Sequence, residues 1–118
     1  MIRFSFKTKL SRQELEVIWN MVSLVNSLDP TEIRHYMLIE TCQGIQKRIE
    51  NRQLKPQNNT LKLNATETST LMYLFTMNKK IQGPYEENLH LRLNGELHRT
   101  LISNKLNPNA WPSDNKHS

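Results

Sequence analysis

The chain has 118 residues, with 16 Lys and Arg against 11 Asp and Glu, a formal charge of +5 with His neutral, 36% apolar residues and 7% aromatics. No stretch approaches the ~20 consecutive apolar residues of a membrane span. Cys42 is the one cysteine and cannot build a disulfide scaffold, and Gly44, Gly83 and Gly95 are too far apart for a Gly-rich phosphate loop. The length is that of one domain, assigned to residues 1–105, with a flexible polar tail over 106–118. Charges interrupt each apolar pair of Met1-Ile2-Arg3-Phe4-Ser5-Phe6-Lys7. There is then no apolar secretory segment, and with a single thiol the expected compartment is the cytoplasm, away from membranes.

In chain order, Ile2, Phe4 and Phe6 alternate with Arg3, Ser5 and Lys7, the period of a half-buried strand whose outer face carries Arg3, Ser5, Lys7 and Lys9. Ser11-Arg12-Gln13-Glu14 is a capping box that opens a first helix. Leu15, Ile18, Val22 and Val25 form one stripe on it, and Val17, Met21, Leu24 and Leu28 a second. Together they predict packing against two neighbours, with Trp19 at the polar border. Asp29-Pro30 predicts the end of this helix and the start of another, with Asp29 as N-cap and Pro30 at the first position, running to about Leu54. Its face is Leu38, Cys42, Ile45 and Ile49. Ile33, Tyr36, Met37 and Ile39 predict that its beginning is buried on several sides.

After a loop at Pro56-Gln57-Asn58-Asn59, Thr60-Leu61-Lys62-Leu63-Asn64 alternates as a short second strand. Thr66 is the expected cap of a third helix through about Met77, whose near-continuous apolar run makes it central to the core. Gly83-Pro84 precedes a fourth, from about Tyr85 to Ser103, with Leu89, Leu93, Leu97 and Leu101 on one face. The sequons at Asn58 and Asn64 read as chance matches in an Asn-rich chain. The expected fold is α+β and mainly helical: two β-α-α units, a two-stranded antiparallel ribbon packed on a four-helix arrangement. An internal repeat over residues 2–54 and 60–104 sets Ser11 against Thr66 and Asp29-Pro30 against Gly83-Pro84, an offset near 55.

Two Glu-x-x-His motifs, Glu32 with His35 and Glu87 with His90, have the helical spacing that di-metal bundles use to present two ligands on one face. Such a bundle also needs a Glu from each remaining helix. Glu14 and Glu16 lie at the far end of the first helix, roughly 20 Å from Glu32 at the α-helical rise. Cys42 sits on an apolar face, and neither a Gly-x-Ser-x-Gly elbow nor a paired carboxylate set appears. The expectation is therefore no enzyme and no cofactor, but a small interaction or regulatory module whose partner is another protein or a second copy. Trp111, one large aromatic in a Pro-flanked polar tail, is a candidate partner anchor.

The alternative uses the strands. Paired, they would gather Arg3, Ser5, Lys7, Lys9 and Lys62 on one basic face suited to a DNA groove. Over residues 2–54 the order strand, helix, helix resembles in outline the ribbon-helix-helix DNA-binding fold, here with both units in one chain. The second helix is longer than that family's, and Leu28-Asp29-Pro30-Thr31 stands where its inter-helix turn carries a Gly. The resemblance implies DNA binding through the ribbon. Metal binding by Glu32, His35, Glu87 and His90 is the third expectation.

Overall fold

The computed structural model describes residues 4–51, 53–79 and 82–104. Among them the chain is α+β and mostly helical, with strands β1 (Phe6–Leu10) and β2 (Asn59–Leu63) and helices α1 (Arg12–Ser23), α2 (Ile33–Glu50), α3 (Ala65–Met77) and α4 (Pro84–Ser103). β1 leads into α1 and β2 into α3, and the two strands form one antiparallel sheet. The chain divides into two units, Met1–Leu71 and Met72–Ser118, with the division inside α3. No helix among the described residues is long and apolar enough to cross a membrane.

The alternation expected from Ile2 onward is realised further along. β1 begins at Phe6 and continues through Lys7-Thr8-Lys9-Leu10, because its partner offers five residues and the register matches Phe6 with Leu63 and Leu10 with Asn59. Phe6, Thr8 and Leu10 share the buried face with Asn59, Leu61 and Leu63. Ile2 and Arg3 lie outside the described residues. Asn59, expected in the loop, instead ties the strand ends together. Its Oδ1 accepts the Lys55 amide at 2.7 Å, while Nδ2 donates to Leu10 O at 3.1 Å and to Lys55 O at 2.8 Å. Asn58 before it takes a positive φ of 63°, a conformation Asn tolerates better than most residues.

Helix α1 starts as expected. Ser11 Oγ accepts the Glu14 amide at 3.1 Å, and Glu14 Oε1 accepts the Ser11 amide at 2.8 Å. Leu15, Ile18, Met21, Val22 and Val25 are buried, but Leu24 and Leu28 of the second stripe are exposed. The α-helix gives way at Ser23 to a 3₁₀ turn, Leu24–Ser27, in which the hydroxyls of Ser23 and Ser27 donate back to Asn20 O and Leu24 O.

Pro30 does not start α2. The segment before it stays extended, with Glu32 at φ −138° and ψ 157° as N-cap and Ile33 as the first helical residue. The Thr31 amide donates to His35 Nδ1 at 3.0 Å, and the Glu32 carboxylate meets Arg34 at 3.2 Å and His35 at 3.4 Å. These bonds hold residues 31–32 outside the helix. Only the second half of α2 packs as expected: Cys42, Ile45 and Ile49 are buried, joined by Gln46, which the apolar face did not include, whereas Ile33, Tyr36 and Met37 are exposed, Ile33 at 77%. α1 and the 3₁₀ turn after it pair with that second half, as the bonds Trp19 to Glu50 and Asn26 to Gln46 show, so the first two turns of α2 extend past them.

The cap of α3 is Asn64, not Thr66. Asn64 Oδ1 accepts the Glu67 amide at 2.8 Å, and Glu67 Oε1 accepts the Asn64 amide at 2.9 Å. Glu67 is itself buried, and its Oε2 accepts Arg48 Nε from α2 at 2.7 Å. Leu71, Met72, Leu74 and Phe75 are buried, while Tyr73 and Met77 face outward and give the helix a wet side that its composition hides. α4 begins with Pro84 at its first position, the Gly83 amide held by Glu86 Oε1 at 3.0 Å, and buries Leu89, Leu93, Leu97 and Leu101.

Replacing Glu67 by Ala strips an amide and a guanidinium of their acceptor at a buried point, and about 2–4 kcal/mol of unfolding free energy should be lost. Glu14→Ala, at a half-exposed capping box, should lose about 1 kcal/mol. Chemical denaturation of both variants checks the order; equal losses would contradict it.

Candidate functional site

The register sets the chemistry of the ribbon. Lys7 stands directly opposite Lys62, and Lys9 opposite Thr60. All four are exposed, and neither strand contains an acid. Like charges directly opposed across a sheet repel, so this face favours any ligand that brings negative charge between them. Of the other residues expected here, Arg3 lies outside the described residues. Ser5 precedes β1, and its Oγ is enclosed without a hydrogen bond to a described residue, so it does not join the open face.

The Glu-x-x-His motifs have separate local roles. In the first, the Thr31 amide occupies Nδ1 of His35, which leaves the ring proton on Nε2 beside Glu32. The lone pair a metal would need is already engaged. In the second, the His90 ring stacks on Phe75, centroids 4.9 Å apart and planes 9° from parallel. No three His, Cys, Asp or Glu side chains among the described residues are placed to hold a metal ion. The motifs also do not correspond in position. Lys9-Leu10-Ser11-x-x-Glu14 recurs 53 residues on as Lys62-Leu63-Asn64-x-x-Glu67, a frame in which Glu32 and His35 fall on Tyr85 and Asn88. Trp111, the expected partner anchor, lies outside the described residues.

Two features escape the sequence reading. Leu24, Leu28, Ile33, Tyr36 and Met37 are all exposed, so the segment that leaves α1 and enters α2 carries five large apolar side chains toward solvent. Monomeric surfaces usually scatter such residues singly, so five of them within fourteen residues stand out. The signal lies in the excess of apolar positions at the start of α2, beyond what one stripe needs. The second feature is an open cleft of about 420 Å³ lined by Glu16, Trp19 and Asn20 of α1 and by Ile49, Glu50 and Leu54. Trp19 Nε1 donates to Glu50 Oε2 across it at 2.7 Å. Glu16, Trp19 and Asn20 have the spacing of one helical face, which is visible in the sequence, but the opposing wall comes from a segment some thirty residues away.

Cys42 is fully buried, and burial pushes its thiol up from 9.0 to about 11. A neutral, enclosed thiol is a packing group, not a nucleophile. Two measurements follow. Alkylation of the native protein near neutral pH should be far slower than of the unfolded chain. The thiol ionises more easily in the unfolded chain, so its contribution is complete below pH 9 and is lost as pH rises toward 11. Relative to Cys42→Ala, the parent should lose up to about 3 kcal/mol over that interval; parallel stability–pH curves would refute the assignment.

No protein-family model, curated protein or solved structure matches the chain.

Proposed function

We propose that this protein is a non-catalytic interaction module that associates with a second copy of itself through the apolar surface of residues 24–37. What carries the reading is the exposure of Leu24, Leu28, Ile33, Tyr36 and Met37 on one short stretch of chain. Burying such side chains contributes about 1.5–3 kcal/mol each when complete. Any such surface is present on both copies, so a two-fold pairing brings it against itself. The test is the mass of the native protein across micromolar to submillimolar concentration, by sedimentation or native mass spectrometry. A dimer is expected, and Ile33→Asp with Met37→Asp should dissociate it. Both positions are solvent-exposed, and Asp at the first helical position suits the helix dipole, so the monomer's stability should hold or rise. A parent protein that stays monomeric over the whole range overturns the reading.

A second reading, nucleic-acid binding by the ribbon, is favoured by one observation: the register that faces Lys7 with Lys62 beside Lys9 on an exposed strand face. A two-stranded ribbon fits the major groove, and lysines there neutralise phosphates. Three phosphate contacts predict a log–log dependence of affinity on salt with a slope of about −3. Anisotropy titrations with a labelled duplex at several salt concentrations measure it. Lys7→Glu with Lys62→Glu should abolish binding; salt-independent binding, or none, rules the reading out.

A further inference from the structure

The cleft between α1 and the chain leaving α2 has a composition unlike the rest of this basic surface. One wall is the indole of Trp19, the apolar lining comes from Ile49 and Leu54, and two carboxylates, Glu16 and Glu50, stand at its sides. Among the described residues neither carboxylate is in an ion pair. Glu50 is held by the Trp19 N–H, a bond in the plane of the ring, which fixes the indole while leaving its π faces unused by that contact. Arg12, one turn before Glu16 and well spaced to pair with it, instead donates Nη2 to Leu54 O at 2.7 Å. The cleft thus brings an aromatic ring and two carboxylates together, with Arg12 bonded to Leu54 O at its edge and Arg52 outside the described residues.

We infer that this cleft binds a cationic side chain, an arginine or lysine of a basic polypeptide segment. Each part of the lining has a matching part of such a ligand. Trp is the best aromatic acceptor for a cation, and a guanidinium also stacks on it. The carboxylates supply charge-assisted hydrogen bonds. Ile49 and Leu54 cover the methylene stem, which a small inorganic cation lacks. The volume suits one side chain with a short stretch of backbone, at the small end of the ~300–1,000 Å³ typical of ligand pockets. The site is separate from the 24–37 surface and does not depend on self-association.

The test uses the full chain with Trp111→Phe, which leaves Trp19 as the one indole. Its fluorescence is titrated with a triarginine peptide, with tricitrulline, which has the same shape without the charge, and with triglutamate. A saturable change with triarginine is expected, weakened at least about tenfold for tricitrulline and absent for triglutamate. Glu16→Gln with Glu50→Gln should weaken triarginine at least about fivefold. The side-chain amide oxygen introduced by Glu50→Gln can still accept the indole N–H, so the wall stays in place. Ile33→Asp with Met37→Asp should leave the titration unchanged, which separates this site from the self-association surface. Equal binding of tricitrulline, unchanged affinity in the double Gln variant, or no saturable change up to ~10 mM triarginine, weaker than any useful recognition, would overturn the inference.

Discussion

The carboxylate of Glu67 joins three segments of chain at one buried point. Oε1 takes the amide of Asn64, where β2 ends and α3 begins, and Oε2 takes the guanidinium of Arg48 on α2. The backbone of Gly44 lies against the same group, close enough that an added Cβ would touch Oε2 at 3.5 Å. A buried carboxylate must be fully hydrogen-bonded to be tolerated, so the groups it bonds are held as firmly as it is. The turn from ribbon to helix, the position of α2 and the start of α3 are therefore a single constraint. The ribbon inherits its footing from it, since a two-stranded sheet is at best marginal without helices beneath its apolar face.

The corresponding junction at the other strand is Ser11 with Glu14, and the likeness extends beyond the caps. In the 53-residue frame Leu15, Ile18, Met21 and Val22 fall on Thr68, Leu71, Leu74 and Phe75, all buried. Thr8 pairs across the sheet with Leu61, its own equivalent, so the register is symmetric about that pair. The second helices break the pattern. Cys42, Ile45, Gln46 and Ile49 would fall on Gly95, His98, Arg99 and Ile102, whereas α4 buries Leu89, Leu93, Leu97 and Leu101. Strand and first helix share one plan in the two halves, and the second helix of each turns a different face inward.

Legibility in the sequence follows both the range of the interaction and whether competing local signals stand beside it. The capping box at Ser11, the Pro at the head of α4, the leucine ladder along it and the alternation within each strand depend on neighbours two to four residues away, and each is readable. The start of α2 departs from expectation because Asp29-Pro30 is a strong local signal that the His35 and Glu32 side chains override from the C-terminal side. Asn64 takes the place of Thr66 because the reciprocal carboxylate at Glu67 completes a box that Thr66 does not have. The exposure of Ile33, Tyr36 and Met37 is not readable at all. Apolar residues announce burial, and only the placement of α1 against the far half of α2 shows that nothing described in the first unit covers them. The Trp19 cleft is hidden for the same reason, since its two walls are joined only by tertiary structure.

The ribbon is not a hairpin. Its strands are separated by the whole of α1 and α2, and the returning chain is tied to the start of α1, where the Arg12 amide donates to Pro56 O and the Arg12 guanidinium to Leu54 O. The order of assembly follows from this. α1 and α2 are joined by a short connection and can meet early, whereas β1 must wait for a loop of some fifty residues to close. Loop closure grows slowly with length, about 0.6 kcal/mol per doubling, so much of that closure is already accomplished once the helical pair has formed. The lysine face therefore exists only while the helical pair holds the two ends of that loop together.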